Sequence, residues 1–369
     1  MSSIELMYKN WVRPRVFASS VDDPETAHEW GLKRLKILER YPILEAVAKN
    51  FLSFEHPMLA TTQFGIRFRS PLGLAAGFDK YCEVYRRGIP ATGWAFAEIG
   101  GITPLRQDGN PRHPARMMRS EELQAIWNFM GFNNPGEDHA AQQMQINGPS
   151  SIPIGLNVGK GKDTPQEKAG EDYAQVIGRM SRYVQFITIN VSSPNTKHLR
   201  ALQAKNLLTE IVSMAIEANE RCLPIGIKVS PDESDEQLSD IADIAIEKKL
   251  SFLILTNTTT KRDRTMGWGI PAERGGVSGR PLTERSRSVL KLMASRFPRK
   301  HSVRLISVGG IDSAAELYRR ILTGASLCQV FTAWPFEGPD LCKRWLNELV
   351  DRLIVDGFGS INHAIGAGL

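Results

Sequence analysis

Asn157, Asn190, Asn195 and Asn257 are carboxamides that stand where runs of apolar residues stop, and two lysines, Lys80 and Lys228, occupy the same kind of position. A carboxamide both donates and accepts hydrogen bonds. Several of them converging on one point therefore match a planar heterocycle with alternating N–H and C=O groups. Lysines beside them suit a carboxylate and a developing negative charge. Asp79, Thr256, Thr258, Phe331 and Thr332 close other runs, and the glycines Gly100, Gly101, Gly309 and Gly310, with Gly279 in VSGR, expose backbone N–H groups of the kind that cradle phosphate. Taken singly, an Asn at a strand end is more often a turn residue, and a Gly-Gly pair a tight turn. Their joint occurrence at one edge is what carries meaning. No His belongs to the set, so His-based nucleophilic catalysis and metal-assisted hydrolysis lack their parts, and no metal is expected.

These residues need a scaffold that brings strand ends together. The stretch Phe186 to Thr196, FITINVSSPNT, shows how: a β-branched, apolar run typical of a buried parallel strand, broken by Asn190 and ended by Ser192, Ser193, Pro194 and Asn195. Comparable runs lie at 71–79, 96–101, 152–158, 186–192, 224–230, 252–258, 304–310 and 327–333. Segments of helical period separate most of them, at 166–182, 204–220, 235–248, 282–296, 313–322 and 339–354. Eight such units predict an α/β fold, a (β/α)8 TIM barrel, whose strand C-termini share one face. An open doubly wound sheet is the alternative, weakened by the lack of GxGxxG after the first strand. The connections at about 102–150 and 259–280 are long, and ordered loops at that face usually build the site.

The first 55 residues read differently. Ile4, Met7, Tyr8, Trp11 and Val12 recur at helical spacing; Asp23 then caps a second helix with Pro24 at its first position, and Ala27, Trp30, Gly31, Leu35 and Leu38 lie along one face. Pro42 ends that helix, and helical spacing resumes to about residue 53. Such amphipathic helices form either a cap on the core or a surface that dips into lipid headgroups and admits an apolar ligand. The expected division is residues 1–55 as an N-terminal amphipathic helical extension and 56–369 as the barrel domain.

Composition bounds the partners. Of 369 residues, 42% are apolar and 23% charged, ordinary for a globular chain. The net charge of +6 is scattered without a basic run, so no nucleic-acid partner is expected. The four cysteines form neither a CxxC pair nor a Cys/His motif, which fits a reducing compartment. No run of about 18 apolar residues spans a bilayer, and neither a secretory signal nor a transit peptide is evident at the N-terminus.

The motifs DPETAH (23–28), LGLAAGFDK (72–80), EIGGITP (98–104), GNPR (109–112), MGFNN (130–134), GLNVGKGKDT (155–164), NVSSPNT (190–196), IKVSPD (227–232), LTNTT (255–259), GGVSGRPL (275–282) and VGGIDS (308–313) run in order along the chain. Together they resemble the flavin-dependent dihydroorotate dehydrogenases, and within them the class 2, quinone-dependent branch. The resemblance implies oxidation of (S)-dihydroorotate to orotate in pyrimidine (UMP) biosynthesis, with FMN as hydride acceptor and a membrane quinone as final acceptor. An FMN-dependent barrel reductase with another pyrimidine or a soluble acceptor is the alternative. By the same resemblance Ser193 is the base at C5 of the substrate; Ser rather than Cys there points to class 2. Lys80, Asn128, Phe129, Met130, Gly131, Phe132, Asn190, Asn195, Asn257 and Thr258 bind substrate. Ala76, Gly77, Phe78, Asp79, Lys80, Gly101, Asn157, Asn190, Lys228, Thr256, Gly279, Gly310, Phe331 and Thr332 contact FMN. Thr196 and Phe132 flank a proton path, and Arg119 lies beside the quinone head. The N-terminal helices then become the membrane-facing quinone tunnel of a monomeric, peripheral protein on the cytoplasmic face of the bacterial inner membrane. Three departures from the family pattern stand out: Gly101 replaces a common Thr or Ser, Phe129 and Met130 an Arg-containing pair, and Phe331 a common Tyr.

Overall fold

The computed structural model describes residues 2–196, 199–265 and 267–369; Met1, at the start of the expected extension, lies outside them, as do Lys197, His198 and Met266. Each of the eight apolar runs forms one strand: β1 (Leu72–Leu74), β2 (Ala97–Ile102), β3 (Ile154–Val158), β4 (Phe186–Asn190), β5 (Ile225–Val229), β6 (Phe252–Leu255), β7 (Arg304–Val308) and β8 (Leu327–Val330). They pair in parallel in chain order, and β8 closes onto β1 to complete a barrel. Every strand residue except Arg304 is buried, because helices cover the outer face and side chains fill the inner one. The helix Ala169–Met180 shows the covering pattern, burying Tyr173, Val176, Ile177 and Met180 along one stripe.

At the strand N-termini the barrel is stoppered by Phe68, Phe96, Phe186 and Phe252. Glycines on the neighbouring strands make room for these rings. A Cβ at Gly73 would come within 2.4 Å of the Phe96 ring, and one at Gly155 within 2.1 Å of Phe186. With that end packed shut, only the C-terminal mouth remains for a ligand.

Both long connections lie over this mouth, and they contain strands as well as loops. Met117–Ser120 and Ala125–Asn128 form a hairpin in the first, and Gly276–Gly279 from the second adds to it as a third antiparallel strand. The pairing of segments so far apart in sequence left no local periodicity to read.

The extension is helical over Ser3–Ala18, with a wider turn at Tyr8–Val12, then over α1 (Glu25–Arg40) and α2 (Pro42–Leu52). Asp23 accepts a hydrogen bond from Glu25 N at 3.1 Å, satisfying an otherwise free donor of the first turn. Tyr41 is extended, as a residue before proline must be, and this separates α1 from α2. Among the described residues no helix is long and apolar enough to cross a membrane.

Candidate active site

A row of side-chain amides crosses the barrel mouth. Asn257 donates to Asn190 (3.3 Å) and to the Ser192 hydroxyl (3.0 Å), Asn190 donates to Asn157 (2.8 Å), and Asn157 reaches buried Glu98 at 3.5 Å. Gln329, on β8, donates to the other Glu98 oxygen at 2.7 Å. Asn190 and Asn157 each accept at Oδ1 and donate from Nδ2, and Asn257 Oδ1 accepts from Thr258 N at 2.8 Å, so the amide orientations are fixed by the row itself, while Gln329 Oε1 is left without a partner among the described residues. A second pair lies above: Asn195 donates to Asn128 at 2.6 Å. The Asn195 Oδ1 and Thr258 Oγ1 atoms are buried without a hydrogen-bond partner among the described residues. Acceptors and hydroxyls left this way are costly unless a ligand meets them.

The cavity they line has a volume of about 170 Å³. It is lined by Ala76, Gly77, Lys80, Gly101, Asn128, Met130, Gly131, Phe132, Asn157, Asn190, Ser193, Asn195, Lys228, Thr256, Asn257, Thr258, Gly279, Gly310, Phe331 and Thr332. The remaining predicted positions lie off its wall. The Asp79 carboxylate turns back to accept from Glu83 N and Val84 N, both at 2.9 Å, and burial pushes it up to about 6. Phe78 faces a second cavity. Phe129 packs outward beside Trp127 and Val277, with Arg274 over its ring. Thr196 is buried next to the site, its hydroxyl unpartnered among the described residues.

Two cations serve the cavity. Burial lowers Lys228, and Glu98 opposes part of that fall. Burial also draws Lys80 down, to about 8, with Glu25 holding it up and Arg116 pressing it down. Both are poised to gain from a negative charge. The Ser193 hydroxyl accepts from Asn195 N at 3.3 Å. At the ends of β7 and β8 the N–H groups of Gly310, Phe331 and Thr332 have no partner among the described residues. Gly279 (φ +90°) and Gly310 (φ +72°) hold the backbone close here; a Cβ would lie 2.2 Å from Gln124 O at the first and 2.4 Å from Thr283 Cα at the second.

The second cavity, of about 330 Å³, lies between the extension and the barrel and is lined almost wholly by apolar groups, among them Met7, Val16, Ala27, Trp30, Leu35 and Phe78. Arg119 is its main cation, donating to Phe17 O at 3.0 Å and lying 3.7 Å over the Phe17 ring. His28 faces in between Phe78 and Phe331; removal from water, with Lys80 nearby, pushes its imidazole down to about 3, so it is neutral. Phe331, Met117 and Ile126 line both cavities and form the wall between them.

A family model described as dihydroorotate dehydrogenase matches residues 58–353. The chain belongs to the dihydroorotate dehydrogenase family. That family comprises flavin-dependent oxidoreductases. The dihydroorotate dehydrogenase (quinone) of a Nitratiruptor species is 39% identical over 345 residues, covering 93% of this chain and 95% of that protein. The Halobacterium salinarum protein of the same name is 36% identical, covering 94% and 96%. Among solved structures, DHODH from Eimeria tenella in complex with ferulenol matches with a TM-score of 0.83 at 31% identity, over 96% of this chain and 98% of that one.

Several residues of this dihydroorotate dehydrogenase fold that shape the site went unread in the sequence. Glu98 and Gln329 sit inside strands, where a buried polar side chain was itself the available signal. Arg200 donates to Ser192 O (3.3 Å), Thr258 O (2.9 Å) and Asp232 (2.7 Å), tying the loops after β4, β5 and β6 together. Nothing local in the sequence marks it.

Proposed function

We propose that the chain oxidises (S)-dihydroorotate to orotate, with FMN as its bound hydride acceptor and a membrane quinone as the final electron acceptor, a step in UMP formation. The observation that carries this reading is the pair of cavities, one amide-rich and cationic, one apolar, sharing the wall of Phe331, Met117 and Ile126. Polar substrate and apolar acceptor would use separate sites in turn, so ping-pong kinetics are expected.

The residues present fit FMN. The N–H groups of Gly310, Phe331 and Thr332, without partners among the described residues, with the close backbone at Gly279, suit its phosphate. Ala76, Gly77, Gly101, Asn157, Asn190, Lys228, Thr256, Gly279 and Gly310 would hold the rest, and Lys228 would favour negative charge on the reduced ring. When bound, FMN supplies an acceptor for the hydride from C6 and a donor of electrons to quinone.

On the substrate side, Asn128, Asn190, Asn195, Asn257 and Thr258 would orient the pyrimidine, and Lys80 its carboxylate. Met130, Gly131 and Phe132 would close over it. Ser193 would take the C5 proton. A serine hydroxyl is a weak base, so that proton must move on as it is taken. The buried Thr196 hydroxyl, without a partner among the described residues, would take the next transfer, with Phe132 as the other flank of the proton path. Arg119 would meet the quinone head in the second cavity.

Residues 1–55 would act as the acceptor-side extension and 56–369 as the catalytic barrel. Met7, Trp11, Ile43, Val47 and Phe51 are exposed on the extension, which supports docking on lipid. We place the protein as a peripheral, monomeric protein on the cytoplasmic face of the bacterial inner membrane. An anaerobic titration of the purified protein with dihydroorotate, followed by absorbance, tests the core of this reading. Bleaching of a flavin band near one equivalent is expected. A flavin spectrum that dihydroorotate leaves unchanged overturns the substrate, and a colourless protein overturns the cofactor.

A further inference from the structure

Glu25, the first residue of α1, is buried although it belongs to the extension. Its two carboxylate oxygens accept from Arg116 Nη2 at 2.8 Å and Nε at 2.9 Å. The remaining guanidinium nitrogen, Nη1, donates to Asp108 O (2.9 Å) and Asn110 O (2.7 Å). Asn110 in turn donates from Nδ2 to Asn195 O (3.0 Å) and Phe129 O (3.1 Å), and its backbone N–H donates to Met130 O (2.9 Å). Asn195, Asn128 and Met130 line the amide-rich cavity. The path is tight: a Cβ at Gly131 would lie 2.7 Å from Asn110 Nδ2. It runs without a gap from the helices of the apolar cavity to the loops of the polar one.

The outer ion pairs differ in kind. Arg112 reaches Asp23 and Glu29 at 2.6 Å and Glu25 only at 3.8 Å, and its side chain is more exposed, where screening leaves an ion pair little effect. Glu25 and Arg116 are nearly closed to water, so removing the carboxylate leaves a buried guanidinium free to turn from the two carbonyls it holds. Glu25 also faces Lys80, whose charge it supports from the extension side.

We propose that Glu25, Arg116 and Asn110 form a positioning relay by which the N-terminal extension sets the loops that grip the pyrimidine. The relay rests on reading the amide-rich cavity as the dihydroorotate site. An extension that served only the electron acceptor would be separable from substrate affinity; this one is built into it.

The test uses the full-length protein with its flavin, with orotate affinity read by calorimetry and turnover read with a water-soluble dye in place of quinone. Glu25→Gln and Asn110→Ser each weaken orotate and raise the dihydroorotate KM on the order of tenfold, with a much smaller change in kcat. Glu25→Asp recovers part of the loss, and the double variant Glu25→Gln/Asn110→Ser is no weaker than the worse single one. If Glu25→Gln fails to fold, Asn110→Ser, which leaves the ion pair intact, decides alone. Parent affinity in the variants, or single effects that simply add, overturns the relay and leaves the substrate reading standing. A parent protein that binds no orotate overturns the substrate reading and the relay with it.

Discussion

At Gly101 a Cβ would meet the Phe132 ring at 2.5 Å. The departure from Thr or Ser at this position is therefore coupled to the placement of Phe132, whose ring takes the space that a side chain would need. Ser193 carries the sharpest single-residue expectation: Ser193→Ala keeps its flavin but is reduced by dihydroorotate several-hundred-fold more slowly, on the order of a general-base contribution. Stopped-flow reduction at the parent rate would assign the base elsewhere. Lys80 gives a pH dependence with a definite sign. Only its protonated form pairs with a carboxylate, and its folded-state value of about 8 lies below the ordinary 10.5. The free protein loses that proton as pH rises through about 8, and a bound carboxylate restores it. Orotate affinity should hold below that pH and fall by about tenfold per unit above it, with proton uptake on binding. Calorimetry in buffers of different ionisation enthalpy measures both; a flat profile to pH 10 would remove Lys80 from carboxylate recognition. For folding the same shift acts the other way, since between about 8 and 10.5 the unfolded chain holds more protons and this group makes stability rise with pH.

Loops after three strands meet at Arg200, whose guanidinium joins Ser192 O, Thr258 O and Asp232. Asp232 is itself engaged by Thr260 N at 2.7 Å, and burial, which opposes its ionisation, is outweighed by Thr259, Thr260 and Arg200, so its carboxyl sits below its ordinary value. This arrangement fixes the element carrying Ser193 relative to the one carrying Thr258. Arg200→Met should cost about 1–3 kcal/mol in urea unfolding, the scale of lost hydrogen bonds to a charged group. It should also raise the dihydroorotate KM more than it lowers FMN occupancy. Unchanged KM would mean that the two loops hold their places independently. Sequence told where these loops begin, because the apolar runs stop there; it did not tell that a residue of one loop spans to the other two.

Across the whole molecule the barrel end plugged by phenylalanines leaves one mouth, and the extension covers part of it to enclose the apolar cavity. The outer surface of the extension remains apolar: Ile43 is 79% exposed and Phe51 56%, both on α2. Neither lines a cavity. The variant Ile43→Glu/Phe51→Glu should lose vesicle binding by tenfold or more, since each apolar side chain buried in lipid contributes roughly 1.5–3 kcal/mol. Its dye-linked activity should match the parent. Vesicle sedimentation at the parent level would place the membrane contact on another face.

The barrel was legible because a parallel strand covered on both sides must be apolar over its length, so polar residues concentrate at its ends. Closing the barrel puts all C-terminal ends on one face, which is why Asn157, Asn190, Lys228 and Thr256 could be grouped from the sequence and line one cavity. The motifs of the long connections were visible as well, but not their partners. Asn110 meets Asn195 across 85 residues, and Glu25 meets Arg116 across 91. Side-chain direction past a strand end was equally hidden: Asp79 folds back on its own loop, while Lys80 beside it reaches the cavity. Burial and periodicity are local constraints that each strand and helix satisfies within its own sequence. Which loop side chains meet depends on the closed three-dimensional surface, and only the folded chain decides that.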